Sequence, residues 1–115
     1  MVTENDNNLL LTLDDFKKVE LRTAKVIDVA DHPQADRLLV LTVEVGNEQK
    51  QIVAGIKENY SKEKLKGKTV ILVNNIKPVS LRGVVSNGML LAAKNGNKLV
   101  VITTDGDIPS GSTVS

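Results

Sequence analysis

At 115 residues and 12.4 kDa the chain has room for one compact domain and none for a second catalytic lobe. It has no cysteine and a single histidine, which excludes disulfides and thiolate chemistry, makes a transition-metal site a poor reading, and removes most acid/base and nucleophile dyads. The net charge of +1 is unevenly spread: residues 1–48 carry −5, residues 49–98 carry +8 and residues 99–115 carry −2, so folding can gather either an anion-binding face or a merely solvated lysine-rich one.

Residues 1–8 are polar, acidic and Asn-rich, which reads as a flexible leader ahead of a single domain over residues 9–115. They lack the basic-then-apolar order of a signal peptide, and no apolar run approaches the ~20 residues of a spanning helix. The expectation is a cytoplasmic protein with no membrane partner. Leu9, Leu10, Leu11 and Leu13 form an apolar patch that must pack on something. Thr12 opens a capping-box-like helix start anchored by Phe16.

The 16 Val and 7 Ile, against one Phe, one Tyr and no Trp, argue for sheet. Residues 19–30 predict a long first strand whose apolar phase slips, placing a bulge or bend near residues 23–25. Asp31-His32-Pro33 ends it, and residues 33–37 suit one helical turn with Pro at its first position. Leu39, Leu41, Val43 and Val45 alternate with Val40, Thr42 and Glu44 as a second strand. Gly46-Asn47 turns the chain, and residues 50–54 return as a third. Ser61 caps a short helix stopped by Gly67. Residues 69–73 are an apolar run too short for a helix, hence a buried fourth strand. Residues 89–93 and 99–102 give a fifth and a sixth, and the Asp105-Gly106-Asp107 and Pro109-Ser110-Gly111 runs are turn chemistry.

This order predicts an all-β fold: a five-stranded OB-fold, or Greek-key barrel, with one short helix between strands 3 and 4 and additions at both ends. An SH3-like barrel is the alternative, but it has no natural place for residues 61–67. In an OB barrel, the stretch from Asn74 to Met89 lies beside the usual oligonucleotide face. It is dense in donors: Asn75, Lys77, Arg82, Ser86 and backbone N–H groups around Pro78, Gly83 and Gly88, the set that phosphate and sugar contacts use. Read blandly, the breakers only turn the chain. Arg37 flanks the same face; its bland reading is a surface arginine paired with Asp36 or Asp31. Lys57, Lys62, Lys64, Lys66 and Lys68 are most simply a solvated face, and His32 a turn residue. Asp105 and Asp107 lack the further oxygen ligands of a calcium loop, so neither a metal nor any other cofactor is expected. Phe16 and Tyr60 alone cannot build a base-stacking platform, so a nucleic-acid ligand has to be held by shape and backbone charge, as folded RNA is.

Five segments in order resemble one family: Asp14-Asp15-Phe16 with Val19-Glu-Leu-Arg22-x-Ala-Lys25-Val; His32-Pro-Gln-Ala-Asp-Arg-Leu38; Ile52-Val-Ala-Gly55-Ile56; Asn75-Ile-Lys77-Pro78; and Ser86-Asn-Gly88-Met89-Leu-Leu-Ala-Ala93. Together they are similar to the tRNA-binding domain appended to bacterial methionyl-tRNA synthetase, which also occurs as stand-alone proteins and synthetase beta-subunits. The resemblance covers roughly residues 12–115. It implies a non-catalytic OB module that binds the outside of folded tRNA, raises a catalytic partner's affinity for tRNA, and homodimerises through flanking segments. Carried over by position, the tRNA-binding candidates are Arg37, Asn75, Lys77, Arg82, Ser86 and Met89; Leu9, Leu11 and Leu13 are the dimer-interface candidates from the bare patch. Asn74-Asn75 doubles the family's usual single amide, and Arg37 stands where Lys is common; both keep donors. The rival reading is a protein-binding chaperone or assembly module on the same barrel.

Overall fold

The computed structural model describes residues 9–115; the leader expected over residues 1–8 lies outside them. Helix α1 (Leu13–Lys17) begins at Thr12, whose hydroxyl accepts the Asp15 N–H at 3.1 Å, the cap the sequence predicts. Strand β1 (Leu21–Asp31) is central, pairing antiparallel with β2 (Leu39–Val45) on one side and β4 (Thr69–Val73) on the other. β2 pairs with β3 (Glu48–Ala54) through the tight turn at Gly46, and β4 pairs with β7 (Met89–Leu90). The order is therefore β3-β2-β1-β4-β7. The two ends curl toward each other: the Asn87 N–H donates to the Gln51 carbonyl at 2.8 Å and the Val53 N–H to Ser86 Oγ at 2.9 Å. The all-β fold, with five main strands and helix α2 (Lys62–Leu65) between the third and fourth, is thus the one expected.

The core follows from the strand period. Leu39, Leu41, Val43 and Val45 face inward along β2, and Ala24, Val26, Ile52, Val70 and Leu72 meet them from the neighbouring strands. Leu65 closes one end of the core, fully buried on a one-turn helix capped by Ser61. Losing one of these branched side chains to Ala costs about 2–5 kcal/mol.

Four local expectations are corrected. The register shift on β1 falls between Val26 and Asp28, not at residues 23–25. The earlier phase slip exists because Thr23 and Ala24 are both buried: Ala24 faces the core, while Thr23 is covered by the C-terminal strap. There Thr23 Oγ1 donates to the Pro109 carbonyl and accepts the Ser112 N–H, and β10 (Thr113–Val114) pairs with the start of β1. Residues 33–37 form two successive turns instead of a helical one: the Gln34 N–H donates to His32 Nδ1 in the first, and the Leu38 N–H closes the second on the Ala35 carbonyl at 3.3 Å. Residues 89–93 are split into β7 and β8 (Ala92–Asn95), which pairs with β9 (Lys98–Val101). Last, the loop from Asn74 to Met89 contains a hairpin, β5 (Val79–Leu81) and β6 (Val84–Ser86).

Candidate nucleic-acid interface

The β5–β6 hairpin turns on Arg82 and Gly83 alone, since Leu81 and Val84 are paired. Both turn residues have positive φ, +54° and +89°, as the two-residue turns that match strand twist require. Glycine adopts this backbone freely, whereas an arginine is strained there by about 1–2 kcal/mol. Asn would be the usual choice, so the position retains a cation at a conformational cost.

The hairpin is fixed by a buried imidazole. His32 is only 6% exposed; its Nδ1 accepts the Gln34 N–H at 2.9 Å and its Nε2 lies 2.9 Å from the Leu81 carbonyl oxygen. A carbonyl cannot donate and the amide must, so the ring is the neutral tautomer with its proton on Nε2. This one side chain joins the β1–β2 connection to the tip of the β5–β6 hairpin. It brings Arg82, whose Nη2 lies 3.4 Å from the Gln34 carbonyl, onto a shared cleft of about 390 Å³ with Arg37, the rest of whose lining is residues 34–38.

The other candidates take different roles. Lys77 is exposed on the turn between β4 and β5. Met89 is half-exposed on the edge strand β7, opposite Val73. Ser86, expected at the surface, is 5% exposed; its Oγ accepts from Val53 N–H and donates to the Gly88 carbonyl at 3.0 Å, so its hydroxyl is consumed in joining β3 to β6. Asn75 likewise spends its amide internally, donating to the Lys18 carbonyl at 2.7 Å and accepting the Glu20 N–H at 2.9 Å. Both hold the shape of the loop. Neither role is visible without the tertiary partners.

Charge around this face is partly compensated. Arg37 pairs with Glu58, at 3.1 Å, and not with Asp36 or Asp31. Asp31 instead takes Lys57 and Lys62, each at 3.3 Å, and hydrogen bonds from these lysines hold its carboxyl below the usual value. Lys64 sits 5.9 Å from the Tyr60 ring centroid. Much of the lysine-rich face is therefore occupied at home. The Glu20 carboxyl is held low by Asn74 Nδ2 first and Arg22 second. Leu9, Leu11 and Leu13 are 79%, 75% and 68% exposed. Among the described residues no group of three His, Asp or Glu side chains is placed to hold a metal.

Residues 21–113 match the family model described as "Putative tRNA binding domain". The methionine--tRNA ligase of Nanoarchaeum equitans is 50% identical over 100 residues, which is 87% of this chain but 13% of that protein. The chain thus spans only a small fraction of the length of that relative. Among solved structures, the MetRS-related protein of Pyrococcus horikoshii superposes with a TM-score of 0.87 at 34% identity, covering 92% of this chain and 98% of that one. The CsaA chaperone of Picrophilus torridus superposes with a TM-score of 0.85 at 28% identity, covering 92% and 100%.

Proposed function

The chain belongs to the tRNA-binding domain family, and we propose that it is a non-catalytic module that holds folded tRNA by shape and phosphate contacts. It would act as the appended domain or beta-subunit of a methionyl-type synthetase, or as a free-standing homologue in the cytoplasm. The observation that carries this reading is Arg82, kept in a strained backbone at a hairpin tip and set beside Arg37 by the His32 clamp. Arg37, Lys77 and Arg82 neutralise phosphates, Met89 lends an apolar contact from the edge strand β7, and Asn75 and Ser86 keep the loop in shape. The curled sheet is read as an OB barrel with this loop along its binding face.

The selectivity follows from what the face lacks. Tyr60 is partly buried with its hydroxyl bound by the Val101 N–H, and Phe16 sits on α1, so no pair of rings is offered for base stacking. Backbone charge and shape then decide, which favours folded RNA over unstructured strands. The bare leucines at 9, 11 and 13 support a homodimer built on the flanking segments; sedimentation at tens of micromolar should give twice 12.4 kDa.

The likeness to the Picrophilus torridus chaperone, together with half-exposed Val79 and Val85 on the hairpin and Met89 on β7, favours one second reading, a module that binds polypeptide. Gel shifts with unfractionated tRNA and with an unfolded polypeptide, each at two salt concentrations, separate the two. Salt-sensitive binding to tRNA supports the first. Salt-insensitive binding to polypeptide alone overturns it.

A further inference from the structure

Arg37 belongs to a second cleft as well as to the one it shares with Arg82. This cleft, of about 330 Å³, runs between residues 55–59 and the β8–β9 hairpin; Arg37 and Lys94 both line it, and Glu58, Asn59 and Asn97 complete the polar lining. Its wall is built: Asn59 Nδ2 donates to the Asn97 carbonyl at 3.2 Å and so holds the hairpin tip against the loop. Gly55 and Gly96 line it without side chains, and the left-handed φ of +61° at Gly96 makes the tight turn that carries Lys94 and Lys98.

On the reading that the Arg82 cleft holds RNA, we infer that this second cleft takes the next stretch of the same RNA backbone, one phosphodiester with its ribose, with Arg37 bridging the two. Cations reach it from two separate elements, Arg37 from the β1–β2 connection and Lys94 from β8. Leu99 is the one apolar side chain in the lining and no ring is present, so the cleft suits a charged, hydrated backbone and offers a base nothing to stack on. In the absence of RNA, the Glu58 carboxylate occupies the guanidinium of Arg37 at 3.1 Å. Both side chains are largely exposed, and an exposed pair of this kind is held only weakly in water. A phosphate that takes Arg37 displaces Glu58, which then opposes binding as a like charge.

Two substitutions therefore act in opposite directions. Lys94→Ala should weaken tRNA binding, and the wild-type advantage should shrink by about threefold between about 50 and about 200 mM salt, the effect of one lost phosphate contact. Glu58→Gln should strengthen binding, because it removes the competing carboxylate while keeping the side chain's size; a merely structural role for Glu58 would weaken it. Both are measured on the full chain with unfractionated tRNA, beside Lys77→Ala. If Lys77→Ala lowers the salt dependence while Lys94→Ala and Glu58→Gln leave affinity unchanged, the second cleft is wrong and the RNA-binding reading stands. If none of the three changes affinity, the RNA-binding reading itself falls.

Discussion

His32 donates from Nε2 to the Leu81 carbonyl at 2.9 Å across 49 residues of sequence, and through that bond the strand connection bearing Arg37 and the hairpin bearing Arg82 become one surface. The imidazole is buried but its two bonds are only partly so, so leaving the carbonyl and the Gln34 N–H without this partner carries a penalty of about 1 kcal/mol, the low end of the range for buried groups. His32→Ala should lower stability by that amount in urea titrations and should also weaken tRNA binding, though His32 itself lies under the surface. His32→Gln, whose amide reaches the position of Nε2, should recover part of both losses. Full tRNA affinity in His32→Ala would show that the clamp does not set the site.

The C-terminal strap is held where backbone touches backbone. A Cβ on Gly111 would lie 2.7 Å from the Gly46 nitrogen and 2.8 Å from its Cα, and φ at Gly111 is +83°. Gly111→Ala therefore faces both a clash that no side-chain rotation relieves and a strained backbone, a loss of about 2–4 kcal/mol. Gly106→Ala, where an added Cβ meets nothing within 4 Å, should stay within about 0.5 kcal/mol of wild type. Equal denaturation midpoints for the two variants would contradict the packing described.

Acid should act through Glu20. Its carboxyl is lowered from the ordinary value of 4.5 by Asn74 and then Arg22, so its contribution to stability is fully present above that value and is lost as pH falls through the depressed folded one. Glu20→Gln should be less stable than wild type at neutral pH and should lose less stability on acidification. Denaturant midpoints at neutral and strongly acid pH measure this; parallel losses in the two proteins would exclude the role.

The parts of the fold legible in the sequence are those whose signals are local. Strict alternation from Leu39 to Val45 before Gly46-Asn47 marks β2 and its turn, and Ser61 with Gly67 brackets α2. The double burial at Thr23 and Ala24 misleads, because it is caused by Pro109 and Ser112, some 86 to 89 residues away. The β5–β6 hairpin is hidden because its strands are three residues long and its turn is Arg-Gly in place of the usual Asn-Gly; the alternation of Val79-Ser80-Leu81 is the one signal that could have found it. Charge and loop position single out Arg37, Lys77 and Arg82. The inward commitments of Asn75 and Ser86 depend on Lys18, Glu20 and Val53, partners that no pattern along the chain identifies.

Arg82→Asn tests the central claim most directly, because it separates what the position does for the fold from what it does for the ligand. Asn tolerates the left-handed backbone better than Arg, so the variant should be as stable as wild type or more stable by about 0.5–1 kcal/mol. Its tRNA affinity should nevertheless fall, about equally for all tRNAs, with the log-affinity against log-salt slope reduced in magnitude by roughly one. Lys62→Ala and Lys66→Ala, on the lysine-rich helix face, should change binding much less. Unchanged tRNA affinity in Arg82→Asn, or losses as large in the two lysine variants, would contradict the account.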